Sequence, residues 1–360
     1  MKRLYFDYAA TSLSADGNPS SKYTEGKLAK KQLEDARSKA AAVLGCLPEQ
    51  LYWTSGGTES NALVIHSFGL RLVRGTNNLS VFSSAVVSSD SEHPSVRENI
   101  ALLSNLLQTD FKAVPASKIV SLCSDDTQLV CLMAVNNETG GINDVQSICS
   151  QLHAVHKRIH IHVDAVQALG KIPVNLAEWD CNSAAFSAHK IGGPRGIGLL
   201  YLRKPLEVVY RGGGQEKGIR SGTENTAGAV AFAECIERYA GSDLQTQMQA
   251  ATERMQKLIS TLQTFPRCHV LPVDRVSEGA SHLQYSPWIV QVSIDGIPGE
   301  VMVRVLDDAG IAVSTGSACS NNKKERAYPF EGIRISQGYN TSMQDIDALC
   351  AAIKDILCKL

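Results

Sequence analysis

Four short apolar runs, each meeting a polar, glycine- or acid-bearing loop, constrain this chain more than any other feature. LYWT (51–54) leads through SGGTESN into a helical pattern from Thr58. AVVSS (85–89) leads through SSDSEHP to another from Pro94, and LVCLMAV (129–135) leads through NNETGG to a third from about Asp144. IHIHV (159–163) runs straight into DAVQ. Short runs this apolar suit strands buried on both faces, as helices packed on the two sides of a mostly parallel sheet would make them. The predicted fold is α/β, and ligands in such folds gather at the loops beyond the strand ends.

At 360 residues the chain exceeds what one core usually supports. The segment from Ser242 to Thr264 reads as one helix, with Leu244, Met248, Ala251, Met255, Leu258 and Leu262 on its apolar face, and leads toward a second unit. Beyond Pro266 come strand-like WIVQVSI (288–294), a helix from Pro298 to about Ala309, IAVS (311–314), GIRIS (332–336) and a final helix from Ser342. The expectation is a large α/β domain over 11–260, and a small α+β domain made of 1–10 and 261–360.

Thirty-five basic residues against 36 acidic ones leave a net charge of −1 without a charged block, which argues against direct nucleic-acid or anionic-lipid binding and for a small ligand. The start, MKRLYFDYAATS, reaches Asp7 before an apolar stretch could serve as a signal, and no run is long enough for a membrane helix, so a cytoplasmic protein is expected. Ten cysteines without CxxC pairs read as reduced thiols, most of them small buried hydrophobes.

Lys190 in FSAHKIGGPRG (186–196) follows an apolar run and precedes glycines. A surface cation before a turn is the ordinary reading of such a lysine. Desolvation after the apolar run would instead favour the neutral amine, which condenses with an aldehyde. GGPRGIG resembles a dinucleotide loop, but the lysine and proline do not suit it. Lys190 is therefore read as the Schiff-base lysine of a cofactor such as pyridoxal phosphate. That cofactor needs an acid at its ring nitrogen. Asp164, at the end of IHIHVD, fits the role, with a helix N-cap as an equal alternative. Gln167 is placed to donate to the phenolic oxygen. SGGTES (55–60) sets two glycines and Thr58 at a predicted helix N-terminus, where amides and dipole converge on a phosphate, although a plain capped turn would look the same. Ser187 and His189 are further phosphate donors, and His93 in SEHPS either lies over the ring or is structural.

The cluster HAVHKRIHIH holds His153, His156, His160 and His162, but no cysteine or carboxylate arrives at zinc spacing; no metal is expected, and these histidines are read as solvated. In STGSACSNN (314–322) small neighbours leave Cys319 sterically open, as a nucleophile needs, unless it is incidental to a serine-rich turn. Arg334 interrupts GIRIS, and its guanidinium wants a carboxylate from an amino-acid substrate or from within the protein.

Taken in order, YFDYAATS, GNPSS, WTSGGTESNAL, EHPSV, NNETG, HVDAVQALGKIPV, FSAHKIGGPRGIGLLY, RGGGQEKGIRSGTEN, STGSACS and IRIS resemble the cysteine desulfurases of the NifS/IscS-like group. These lie within the class V aminotransferase family of fold-type I pyridoxal phosphate enzymes. The resemblance implies that Lys190 carries the cofactor, Asp164 meets the pyridine nitrogen, Gln167 meets the phenolic oxygen and His93 stacks on the ring. It also implies that Asn137 lies near substrate and cofactor, and that Gly57, Thr58, Ser187 and His189 hold the phosphate. Thr223 of RSGTEN would reach the phosphate of a partner subunit, which implies a homodimer. Arg334 would bind the substrate carboxylate, and Cys319 would accept sulfur as a persulfide. The reaction implied turns L-cysteine into L-alanine and passes sulfur to an acceptor protein, such as a cluster scaffold for iron-sulfur assembly or a tRNA-thiolation enzyme. The alternatives are a selenocysteine lyase or other class V aminotransferase, and a catalytically idle paralogue that binds sulfur carriers. Two segments depart from the pattern: only LSAD (13–16) separates YFDYAATS from GNPSS, and NNKKERAYPFEG replaces a helical stretch before IRIS. Tyr23 stands where the family often has histidine.

Overall fold

The computed structural model describes residues 4–12, 17–75, 85–107, 111–207, 209–277, 284–315 and 332–359. The chain folds into two compact units, Met1–Met133 with Asp144–Ser242, and Ala134–Asn143 with Asp243–Leu360. The strands are β1 (Leu51–Thr54), β2 (Val86–Ser89), β3 (Lys112–Val114), β4 (Leu129–Met133), β5 (His160–Asp164), β6 (Ser183–Ser187), β7 (Gly198–Leu202), β8 (Cys268–Leu271), β9 (Ile289–Ile294) and β10 (Gly332–Ser336). The α-helices are α1 (Thr24–Leu44), α2 (Gly57–Gly75), α3 (Pro94–Leu107), α4 (Ile119–Leu122), α5 (Val145–Val155), α6 (Leu176–Trp179), α7 (Thr226–Cys235), α8 (Leu244–Leu262), α9 (Gly299–Asp308) and α10 (Met343–Lys359).

The first unit is built on a seven-stranded sheet of order β1-β7-β6-β5-β4-β2-β3. Strands β3, β2, β4, β5 and β6 pair in parallel, while β7 is antiparallel to both β6 and β1. Every residue of β1, β2, β4, β6 and β7 is buried, as a sheet covered on both faces requires. Helix α2 contributes Val64, Ile65 and Phe68, and α3 contributes Val96, Ile100 and Leu103, to one apolar cluster with β2, β4 and β7. Each such side chain adds about 1.5–3 kcal/mol on full burial. Helix α1 buries Ala29, Leu33, Ala36, Ala40 and Leu44, one stripe at helical spacing, and ends at Gly45 in the left-handed conformation that glycine adopts without strain.

The second unit is a three-stranded antiparallel sheet, β10-β9-β8, packed with α8, α9 and α10. Helix α8 belongs to this unit because Met255, Leu258 and Leu262 join its core and Ala251 packs on Trp288. IAVS is not a strand. Ser314 alone bridges to Arg334, while Ile311 and Val313 pack as single side chains against the core. Among the described residues no helix is long and apolar enough to cross a membrane.

Candidate active site

In the first unit the strand directions gather four motifs at one sheet edge. Strands β1, β2, β5 and β6 run the same way, β1 by way of the antiparallel β7. Their carboxyl ends lead respectively to SGGTES, to SEHPS, to Asp164 itself, and to Ser187, His189 and Lys190. Asp164 pairs with Ala185, so Ser187 lies two residues further along the neighbouring strand.

Asp164 is 5 % exposed. Its Oδ1 accepts from the backbone N–H of Val166 at 3.0 Å and its Oδ2 from Asn61 Nδ2 at 2.8 Å. Asn61 also reaches Ser95 Oγ at 2.8 Å, and Ser95 Oγ lies 2.8 Å from His93 Nδ1. Burial pushes the His93 imidazole below its ordinary pKa; the Asp164 charge opposes the fall, and Lys190 and Arg97 add to it. Glu92, buried next to His93, accepts from Met133 N at 2.6 Å, and burial together with the Asp164 charge raises its pKa well above the carboxylate range.

Helix α2 begins beside Ser187. A Cβ on Gly57 would meet Val166 Cγ2 at 2.5 Å, and one on Gly198 would meet Gly56 Cα at 2.5 Å, so Gly57 makes room for the Val166 side chain and Gly198 for the backbone at Gly56. Thr58 is exposed in the first turn. Ser187 Oγ lies 2.9 Å from His189 Nδ1. Partial burial holds the His189 imidazole below its usual pKa, and the cations Lys190, Arg195 and Lys171 lower it further, so the potential here is positive. Gln167 accepts from Lys171 Nζ through its carbonyl oxygen, which leaves its amide nitrogen as the donating half.

Two expectations are corrected. Lys190 is exposed in the single chain rather than desolvated. The apolar run ends with β6 at Ser187, and the turn Ala188–Ile191 buries Ala188 and Ile191 while turning residues 189 and 190 outward. The histidines are not all solvated either: His162 is 0 % exposed on β5, with Nε2 at 2.8 Å from Asn61 Oδ1 and Nδ1 at 2.8 Å from Ser183 Oγ. Asn61, Ser95 and His162 are residues that the sequence reading missed. The available signals were spacings: His162 is two residues from Asp164 on the same strand face, and Asn61 is one helical turn beyond Gly57. Among the described residues no group of His, Cys, Asp and Glu is arranged to hold a metal ion.

In the second unit Arg334, on β10, donates from Nη1 to the backbone carbonyl of Asn137 at 3.0 Å. These two predicted substrate-binding residues therefore adjoin. Thr223 is exposed. Cys319 lies outside the described residues, as do both departing segments apart from Gly332. The nine described cysteines are free thiols. Burial pushes Cys46 and Cys149 up to about 12 and Cys123 and Cys268 up to about 11, which leaves little thiolate at neutral pH.

The chain is similar to known proteins in sequence and to a solved one in fold. The "NifS/IcsS protein homolog" of Lactobacillus delbrueckii subsp. bulgaricus is 32% identical over 98% of this chain and 97% of its own length. "Cysteine desulfurase IscS" of Methanosarcina thermophila is 30% identical over 96% of this chain and 86% of its own. A solved "NIFS-LIKE PROTEIN" superposes with a TM-score of 0.83 at 31% identity, covering 96% of this chain and 92% of that one. The profile of aminotransferase class-V matches residues 4–349, and the chain belongs to that family.

Proposed function

We propose that this chain is a pyridoxal-phosphate-dependent cysteine desulfurase that converts L-cysteine to L-alanine and carries the released sulfur on Cys319. The observation that carries this function is the buried Asp164 carboxylate, held by Asn61 and Val166 beside the strand end that bears Lys190. The donor set suits the cofactor. Glycines allow close approach at the α2 N-terminus, Ser187 and His189 sit in a positive field, and a buried acid stands two residues back on the adjacent strand.

When bound, pyridoxal phosphate supplies an aldehyde that captures the substrate amine and a ring that withdraws electrons from the substrate carbon. Asp164 holds the proton on the ring nitrogen. Gly57, Thr58, Ser187 and His189 would hold the phosphate, Gln167 would donate its amide to the phenolic oxygen, and His93 would contact the ring. Arg334 takes the substrate carboxylate, with Asn137 beside it. The Lys190 amine moves the proton at the substrate α-carbon. The Cys319 thiolate attacks the substrate sulfur: an S–S bond forms, the C–S bond breaks with its electron pair left on carbon, and a proton takes sulfur's place to give alanine. Cys319 then hands the sulfur to an acceptor such as a cluster scaffold or a tRNA-thiolation enzyme. Thr223 reaches the phosphate held by a second copy, which makes the working unit a homodimer. The free thiols fit a reducing, cytoplasmic setting.

The test is to purify the protein, record its visible absorbance, and measure alanine and sulfide from L-cysteine for wild type, Lys190→Ala and Cys319→Ala. Wild type is expected to be yellow and to release alanine, Lys190→Ala to lose turnover, and Cys319→Ala to keep the colour while losing sulfur transfer. Colour without alanine from cysteine would redirect the assignment to selenocysteine or another amino acid. No colour with added cofactor would end the enzyme assignment.

A further inference from the structure

Asp164 stands at a branch of a chain of buried polar groups whose protons admit one arrangement. Asn61 turns its Nδ2 toward both Asp164 Oδ2 and Ser95 Oγ, and an amide nitrogen only donates, so its two hydrogens go to these two oxygens. Asn61 Oδ1 then faces His162 Nε2, and a carbonyl oxygen only accepts, so His162 carries its proton on Nε2. The fully buried ring stays neutral, so its Nδ1 accepts from the Ser183 hydroxyl, whose oxygen accepts in turn from His160 Nε2.

The other branch is equally determined. Ser95 Oγ accepts from Asn61, so its hydrogen goes to His93 Nδ1. The backbone N–H of Ser95, which can only donate, points at the same Nδ1 from 3.1 Å. His93 caps helix α3: its carbonyl accepts from Val96 N at 2.9 Å and Arg97 N at 3.1 Å while its ring serves a first-turn amide. With Nδ1 taken as an acceptor, the proton of the neutral ring sits on Nε2.

We propose that Asn61 and His162 are positioning residues for this site, which hold the Asp164 carboxylate in a fixed orientation and, through Ser95, hold His93 as the neutral ring protonated on Nε2. His93 therefore presents a hydrogen-bond donor to a bound molecule, not a base. The purpose assigned to the network rests on the cofactor function proposed above; its proton arrangement does not.

Two measurements separate the proposal from that function. The first uses the cofactor-free protein: long-range 1H–15N correlation of labelled histidines, with His93 and His162 assigned by loss of their signals in His93→Gln and His162→Gln. Both rings are expected as neutral Nε2–H tautomers. Finding His93 or His162 protonated on Nδ1 overturns the proposal, whether or not the cofactor binds. The second is pyridoxal phosphate affinity by fluorescence titration. A hydrogen bond to a charged group is lost in Asn61→Ala, so affinity should fall by about tenfold to a hundredfold. His162→Phe should fall in the same direction, and His162→Gln, which keeps a donor for Asn61 Oδ1, should recover most of it. Wild-type affinity in Asn61→Ala and His162→Phe, with stability alone reduced, overturns the proposal and leaves the cofactor function standing. If a variant fails to fold, the wild-type tautomers decide.

Discussion

Removing Arg37 from the first unit should destabilise it far more than a surface charge would. Arg37 is 3 % exposed and Glu216 6 % exposed. Their side chains make a bidentate pair at 2.7 and 2.8 Å; Arg37 also donates to the Leu51 carbonyl at 2.8 Å, and Glu216 accepts from Trp53 N at 2.8 Å. Glu216 and Lys217 both adopt left-handed backbone angles, φ 47° and 56°, in the loop that carries Thr223. Such conformations cost non-glycine residues about 1–3 kcal/mol each and persist only where the surrounding structure holds them. Arg37→Leu strands the Glu216 carboxylate in the interior with one backbone N–H, at a cost of about 3–5 kcal/mol. For a body of this size, that is a fall of about 6–20 °C in the transition of the first unit. Arg37→Leu/Glu216→Gln removes the stranded charge and keeps an acceptor for Trp53 N–H, so it should be more stable than the single variant. The assay is thermal and urea unfolding followed by tryptophan fluorescence, since Trp53 lies under the Arg37 guanidinium. A loss under about 1 kcal/mol, the scale of an exposed pair, would refute the reasoning, as would a double variant no better than the single.

Four further outcomes follow from the same structure. Burial lowers the His162 pKa to about 3, so between about 6.5 and that value the unfolded chain binds a proton which the folded chain refuses. Stability should drop as pH falls through this window, by up to about 1.4 kcal/mol per pH unit from this group; an equal slope in His162→Gln would count against it. Gly198→Ala places a methyl 2.5 Å from Gly56 Cα, where only backbone can yield, and should weaken cofactor binding with an overpacking cost of about 1–3 kcal/mol in unfolding experiments. Arg334→Ala should lower kcat/KM for cysteine by about tenfold or more, and Arg334→Lys should not restore it, because an ammonium cannot form the bidentate pair proposed for the substrate carboxylate. Brief alkylation of the native protein, read by peptide mass mapping, should mark the exposed Cys358 and the nucleophile proposed above, Cys319, and spare the buried Cys131, Cys149 and Cys181.

What the sequence made legible, and what it did not, divides by the range of the interactions involved. The strands at 51–54, 86–89, 129–133 and 160–164 were readable because burial on both faces writes an apolar run into the chain itself. Strand β3, with Lys112 and Ala113 exposed at the sheet edge, writes no such run, and IAVS shows the opposite failure, an apolar run that makes one isolated bridge among the described residues. The outward turn of Lys190 was hidden because it depends on where β6 stops, not on the apolarity before it.

The same division runs through the candidate site. Gly57, Asp164, Ser187 and Lys190 announce themselves because each ends a strand or closely follows one, and all those ends share one edge of the sheet. The groups that orient them do not, because their partners are remote: Asn61 and Asp164 are separated by 103 positions, and Asn61 and His162 by 101. A buried histidine and a solvated one are the same letter until the sheet decides which face it occupies. His162 shares the face of Asp164, and an imidazole that donates beside a carboxylate that accepts needs an intermediary that accepts one way and donates the other. A primary amide does both, which is why an asparagine at position 61 completes the site where an aspartate or a leucine would leave one of the two partners unmatched.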